Sequence, residues 1–332
     1  MGNDQAHQVN PTDSTGGGVP GIQSAGRTAA FVMSPALGDT LNLLIVAHNL
    51  VRGGWRVDVF GDHAYALAAW FPHLSIAPAL TPGEARELLA RYPYVIQMHR
   101  DRPLAQLGDW HAGFINLHEA EFAQNTDCMA KRFADFARKR FDLHDVETSN
   151  GMLAPAGLSF RKYASRVAIH PEASTPDKRW IPERFLELSR RLHASGLQVE
   201  FVLDARERSR WEELAGDLPP LRSFPSSSQL AAWLYESGWF IGNDSGVGHL
   251  ASALGIPTLT LFRRRRVAQR WRPGFTVGDI VLPSWWVPTA ALKERWWRES
   301  IGVGRVLKAF RALRLRVSGH PTPADRSERF DA

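Results

Sequence analysis

Short apolar runs alternate with amphipathic helical stretches twice along this chain, and that alternation leaves few folds open. In the first series the pattern predicts strands at 28–33, 55–60, 94–98 and 114–117. Helices are expected between them at 41–51 and 82–92, and after them at 129–141, where Phe133, Phe136 and Ala137 recur at helical spacing. Residues 145–165 are rich in Gly, Pro, Ser and Ala and show little periodicity, which marks a linker. The second series predicts strands at 166–170, 198–203 and 258–262, with Trp239-Phe240-Ile241 as another, and helices at 182–194, 206–215 and 227–235. Alternation of this kind in both halves implies an α/β protein of two doubly wound, Rossmann-like domains. Ligands of such domains bind beyond the C-terminal strand ends, hence in the cleft between them.

The expected organisation is a polar, disordered leader over 1–27, an N-terminal domain over 28–150, a linker over 151–165, a C-terminal domain over 166–316, and a disordered tail over 317–332. A basic amphipathic helix at 305–316 is placed to pack back across the domains. A chain of 332 residues suits two domains. No apolar run approaches the roughly 20 residues that cross a bilayer, and the leader has no apolar signal-peptide core. The single cysteine, Cys128, excludes an internal disulfide and a thiolate metal cluster, and is expected simply as a helix residue. These features fit a cytoplasmic protein. The net charge of +6 favours a polyanionic partner without choosing among nucleic acid, anionic lipid and nucleotide-sugar phosphates.

Chemistry concentrates at three turns. Gly242-Asn243-Asp244-Ser245-Gly246-Val247-Gly248-His249 follows an apolar run and precedes a small-residue helix and a further strand. Such a strand–turn–helix aims free backbone N–H groups and a small hydroxyl at one spot, as a phosphate at a helix N-terminus requires. Asp244 and His249 add an acid and an imidazole. His170-Pro171-Glu172-Ala173-Ser174-Thr175-Pro176-Asp177-Lys178-Arg179-Trp180 opens the second series and places hydroxyls and a cation between strand and helix. Lys178 can neutralise a departing pyrophosphate; the plainer alternative is a solvated loop anchored by Trp180. The first strand ends in Ser34-Pro35-Ala36-Leu37-Gly38-Asp39-Thr40, where Asp39 is either a helix N-cap or a functional carboxylate. Neither G-x-G-x-x-G nor a P-loop motif occurs there, which disfavours nicotinamide chemistry and P-loop hydrolysis. Asp204 and Glu207 can accept from ribose hydroxyls, although a helix cap explains them better. Arg263-Arg264-Arg265-Arg266, with Arg270 and Arg272, is the densest positive patch and can clamp phosphates on an acceptor. Trp285, Trp286, Trp296 and Trp297 suit core packing or a membrane interface. His99, His111, His118 and His249 show no metal-ligand spacing, so no metal is expected.

Leu37-Gly38-Asp39, Lys178-Arg179-Trp180, and Asn243-Asp244-Ser245-Gly246 with His249 together resemble glycosyltransferase family 9 in order and spacing across residues 28–316. These are the ADP-heptose-dependent heptosyltransferases of lipopolysaccharide core assembly. The resemblance implies a GT-B fold of two Rossmann-like domains, with the donor nucleotide in the C-terminal one and the acceptor in the N-terminal one. It also implies an inverting, metal-independent enzyme without a cofactor, the ADP-sugar being a substrate. Asp39 is then the general base. Ser174 or Thr175 with Lys178 would hold the diphosphate, Asp244 would face the donor sugar, and Ser245, Gly246 and His249 would meet its phosphates. The implied partners are a nucleotide-sugar donor and an anionic glycolipid or glycan acceptor, with peripheral contact at the inner face of the cytoplasmic membrane and no nucleic acid. The chain departs from the pattern in having Met33-Ser34-Pro35-Ala36 without a basic residue, and four arginines where a glycine-containing loop is expected. The alternatives are a nucleotide-sugar epimerase or hydrolase of the same superfold, and a nucleic-acid-binding protein using Arg263–Arg266.

Overall fold

Strands that are apolar along their whole length must be covered on both faces, the condition of a parallel sheet between helices. The computed structural model describes residues 26–117, 127–214, 219–284 and 296–319. Most of the expected leader and tail, together with His118, Trp285 and Trp286, lies outside these residues.

Two sheets form, and their strand pairs are parallel. The N-terminal sheet comprises β1 (Thr28–Val32), β2 (Arg56–Phe60), β3 (Ser75–Ala77), β4 (Tyr94–Gln97) and β5 (Phe114–Asn116), in the order β3-β2-β1-β4-β5. The C-terminal sheet comprises β6 (Tyr163–His170), β7 (Gln198–Val202), β8 (Leu221–Arg222), β9 (Ser237–Asn243), β10 (Thr258–Leu261) and β11 (Gly278–Val281), in the order β11-β10-β9-β6-β7-β8. In each sheet the strand order reverses once, between β1 and β4 and between β6 and β9, and the loops leaving these pairs open a crevice. β6 starts at Tyr163, inside the stretch expected as linker.

The helices of the first half are α1 (Leu37–Arg52), α2 (Asp62–Ala66), α3 (Pro82–Leu89), α4 (Leu107–Trp110) and α5 (Met129–Phe141). Those of the second are α6 (Pro182–Ala194), α7 (Ala205–Glu213), α8 (Ser227–Tyr235), α9 (Gly246–Ala253), α10 (Arg265–Trp271), α11 (Trp297–Ser300) and α12 (Val303–Ser318). Cys128 is the N-cap of α5 rather than part of the helix. The short elements β3, β8, β11 and α10 lack a long periodic run, and sequence pattern alone does not reveal them.

α1 is apolar nearly all round because it is covered on two sides: it packs on α5 within its own half and on α9 of the other. One hydrophobic core therefore runs through both halves, joining Leu41, Leu44 and Phe133 to Phe240, Leu250 and Ile256. A second core lies wholly in the C-terminal half, and it claims the terminal helix. Val303, Val306, Phe310 and Leu313 of α12 are buried against α6, β10 and β11. That corrects the expectation that this helix crosses back over the domains, since its apolar stripe is used up on its own sheet. Among the described residues no helix is long and apolar enough to span a membrane.

Candidate active site

Asp39 sits in the first turn of α1, but the N-cap of that helix is Ala36 and no side chain caps it. The capping alternative therefore fails, and the carboxylate turns to other partners. Ser34 Oγ donates to Asp39 Oδ2 at 3.1 Å, and His99 Nε2 lies 3.3 Å from the same oxygen. Ser34 follows β1 and His99 follows β4, whose ends are paired through Val32 and Gln97. The N-terminal switch point thus brings His99, sixty positions away along the chain, to Asp39 beside Ser34. Gln97, fully buried, fixes the loop beyond it: its Nε2 donates to His99 O at 2.8 Å and Leu104 O at 2.9 Å, and its Oε1 accepts from Leu104 N at 3.1 Å.

The C-terminal switch point is built in the same way. Lys178 Nζ, from a 3-10 turn after β6, is 3.0 Å from Asp244 Oδ2, just past β9. Asn243, also fully buried, ties the two segments: its Oδ1 accepts from Trp180 N at 3.1 Å and its Nδ2 donates to Pro171 O at 2.6 Å. The three residues Lys178-Arg179-Trp180 serve different purposes. Arg179 Nε pairs with the buried Glu172 at 2.8 Å, and Glu172 also accepts from Trp211 Nε1 at 2.7 Å. Trp180 is buried and its Nε1 donates to the carbonyls of Arg298 and Ile301. The Lys178 side chain turns instead to Asp244. A cavity of about 220 Å³ lies beside this loop, walled by Glu172, Arg179, Trp180, Arg210 and Trp211.

The two switch points meet. A Cβ on Gly38 would lie 3.1 Å from His249 Cδ2, and one on Gly246 would lie 3.0 Å from Leu37 Cβ and 3.2 Å from Gly38 N. Glycine at these positions lets the N-termini of α1 and α9 touch. His249 lies between the two halves of the site. Burial pushes its imidazole below the ordinary histidine range, against the opposing pull of the Asp244 and Asp39 carboxylates. Its buried Nδ1, and the buried Oγ of Ser245 at the N-cap of α9, have no hydrogen-bond partner within the described protein. Polar atoms so placed suit an oxyanion at a helix N-terminus.

The remaining sequence candidates divide. Ser174 and Thr175 are exposed on the loop before Lys178, where Thr175 bonds Asp177 and holds its carboxyl below the usual range. Arg263 reaches that loop through an ion pair with Asp177 at 2.5 Å, while Arg264, Arg265 and Arg266 are exposed at the start of α10. The arginine run is therefore not one clamp. Asp204 and Glu207 form a capping box on α7, with Asp204 accepting from Arg206 N at 3.0 Å and Glu207 from Asp204 N at 3.2 Å. The structure thus uses them as the cap that the sequence favoured over a ribose contact. Trp296 is half exposed and Trp297 buried. Among the described residues no group of three or more His, Cys, Asp or Glu side chains could hold a metal ion. Sequence reasoning assigned no role to Ser34, to His99 or to the pinning amides of Gln97 and Asn243; pairing of distant strands brings His99 to Asp39 and Asn243 to the loop of Trp180.

Two Rossmann-like sheets whose switch points meet across a cleft, one presenting a carboxylate and the other partnerless polar atoms at a helix N-terminus, make up the GT-B fold. Residues 117–276 match the family described as glycosyltransferase family 9 (heptosyltransferase). The chain is a glycosyltransferase, and family 9 is the one its sequence matches. Among solved structures it is similar to the E. coli heptosyltransferase WaaC with ADP (TM-score 0.63, 15% identity, 86% of this chain and 99% of that one). It is similar also to E. coli ADP-heptose LPS heptosyltransferase II (TM-score 0.64, 18% identity, 88% and 99%). A family 9 glycosyltransferase from Veillonella parvula aligns with a TM-score of 0.67 at 16% identity, over 87% of this chain and 97% of that one. No curated protein matches.

Proposed function

We propose that this enzyme transfers a heptose-like sugar from an ADP-sugar to a hydroxyl of a lipopolysaccharide-core or related anionic glycan, with inversion and without a metal. The observation that carries the reading is the meeting of Asp39 with the Lys178–Asp244–His249 group across the touching N-termini of α1 and α9. Similar structures include a heptosyltransferase holding ADP.

Asp39 takes the proton of the acceptor hydroxyl as its oxygen attacks the anomeric carbon, on the face opposite the leaving group. The bond from that carbon to the diphosphate oxygen breaks, and ADP departs with both electrons. Lys178, the free N–H groups opening α9, Ser245 Oγ and a ring nitrogen of His249 stabilise the charge that collects on it. Among the described residues both hydrogen-bond contacts of Asp39 fall on Oδ2, which leaves Oδ1 for the acceptor. Asp244, paired with Lys178 in this structure, exchanges that partner for the sugar hydroxyls when the diphosphate takes up the lysine. Ser174 and Thr175 complete the diphosphate loop. Arg264, Arg265 and Arg266, together with the exposed Arg305, Lys308 and Arg311 of α12, offer positive surface to an anionic acceptor at the cytoplasmic membrane face. The family match does not favour an epimerase or a nucleic-acid-binding module.

The experiment is calorimetric. ADP should bind at least tenfold more tightly than UDP or GDP, and Asp39→Asn should keep that affinity while abolishing transfer. Equal binding of the three nucleotides, or transfer by Asp39→Asn, overturns the reading.

A further inference from the structure

The turn after β1 offers Asp39 no basic side chain, and a residue following β4 reaches it instead. We propose that His99 is a positioning residue that holds the Asp39 carboxylate in its reactive orientation through the transfer step. The inference rests on Asp39 being the base.

The geometry is specific. His99 Nε2 stands 3.3 Å from Asp39 Oδ2 with both side chains largely buried, and Ser34 Oγ donates to the same oxygen. A carboxylate offers only acceptors, so Nε2 must carry the proton in this contact, whether the ring is neutral or charged. Two donors on Oδ2 fix the carboxylate plane and leave Oδ1 as the proton acceptor. The backbone that carries the ring is itself held. Gln97 Nε2 fixes the His99 carbonyl, and a bridge between His99 and Arg102 closes the turn that follows. Ser34 is held likewise, its Oγ accepting from Ala36 N at 3.2 Å.

The charged surroundings explain why the base needs such support. Across the cleft α9 presents His249, with Asp244 and Lys178 behind it, and a bound diphosphate would add negative charge there. Negative charge nearby favours a protonated, inactive carboxyl, whereas hydrogen-bond donors to the ionised form oppose this. On the N-terminal side the neighbours are Arg100, Asp101 and Arg102 of the same turn, with Arg102 Nη2 3.5 Å from His99 Nε2, and His63 of α2, whose Nε2 meets Pro35 O. Among the contacts of Asp39 itself, His99 and Ser34 are the donors.

The test uses the full chain with ADP-heptose as donor and heptose-deficient lipopolysaccharide as acceptor, following ADP release. His99→Ala should lower kcat about ten- to a hundredfold, the loss expected when one hydrogen bond to a charged group goes. It should leave the KM for ADP-heptose within twofold and move the acid limb of the kcat profile to higher pH. His99→Gln, which restores an N–H donor without a titrating ring, should recover most of kcat and return the acid limb towards that of the unmodified enzyme. If His99→Ala lowers kcat with an unmoved acid limb and no recovery in His99→Gln, or leaves kcat intact, the positioning role is wrong. Asp39→Asn run in parallel separates the two claims. Turnover by that variant defeats the base assignment, and none by the unmodified chain with this pair defeats the proposed donor and acceptor. A silent His99→Ala beside a dead Asp39→Asn defeats only the role of His99.

Discussion

Replacing Asn243 by alanine tests whether the donor loop is pinned as described. The side chain is fully buried and makes two bonds, accepting from Trp180 N at 3.1 Å and donating to Pro171 O at 2.6 Å. Alanine removes both and leaves a backbone N–H and a carbonyl unpaired, each costing about 1–3 kcal/mol when buried. The expected loss is therefore about 2–6 kcal/mol, or roughly 4 °C or more in Tm for a unit of this size. The damage is local as well as global. Hydrogen exchange at the Trp180 amide should accelerate by more than tenfold, and ADP affinity should fall because Lys178 stands two residues from the released amide. Asn243→Asp sharpens the test. It keeps the acceptor for Trp180 N but turns a carboxylate oxygen towards Pro171 O, so it should destabilise at least as much despite its nearly identical shape. A Tm within about 2 °C of the unmodified protein for both variants, with unchanged protection at Trp180, would refute the pinning argument.

Lys178→Ala should weaken ADP-sugar binding more than tenfold by calorimetry, since it removes the cation and leaves Asp244 to repel the diphosphate; unchanged affinity would remove Lys178 from the donor site. Gly246→Ala should cost about 1–3 kcal/mol, because its Cβ meets Leu37 Cβ and the backbone of Gly38 and α1 and α9 must part; denaturant unfolding measures it, and a neutral result would mean that the helix ends separate freely. Burial holds His170 and His249 below their ordinary value of 6.5. The unfolded chain therefore binds more protons below about pH 6.5, and stability, constant above it from these groups, falls as the pH drops towards their folded values. Tm should decline from pH 7 to 5.5, and His170→Asn should flatten the decline; an identical slope in that variant would remove His170 from the acid response.

Much of this architecture can be read along the chain. The helices at 129–141, 182–194 and 227–235 fall where the periodicity puts them, because each carries an apolar stripe long enough to declare its period. Asp204 and Glu207 announce a capping box, a device whose partners lie three residues apart. α1 is extended by a turn beyond expectation at its N-terminus, which places Asp39 inside the helix instead of before it. That difference takes the carboxylate out of the capping position. The arginine run reads as one patch, yet the start of α10 at Arg265 sends Arg263 towards Asp177 and leaves the others outward.

The sequence by itself determined the α/β class, the strand–turn–helix at Gly242–His249, the loop carrying Lys178 and the turn carrying Asp39. Each is a local pattern, written in periodicity and in the residues that a tight turn or helix start tolerates. Which of these residues meet was left to the tertiary structure. β1 pairs with β4, so His99 reaches Asp39; β6 pairs with β9, so Lys178 reaches Asp244 and Asn243 holds the loop of Trp180. The contact of Gly38 with His249 joins the two halves only because α1 packs on α9. Sheet order and helix packing are set by burying apolar surface over the whole chain, and no short window of sequence contains that information.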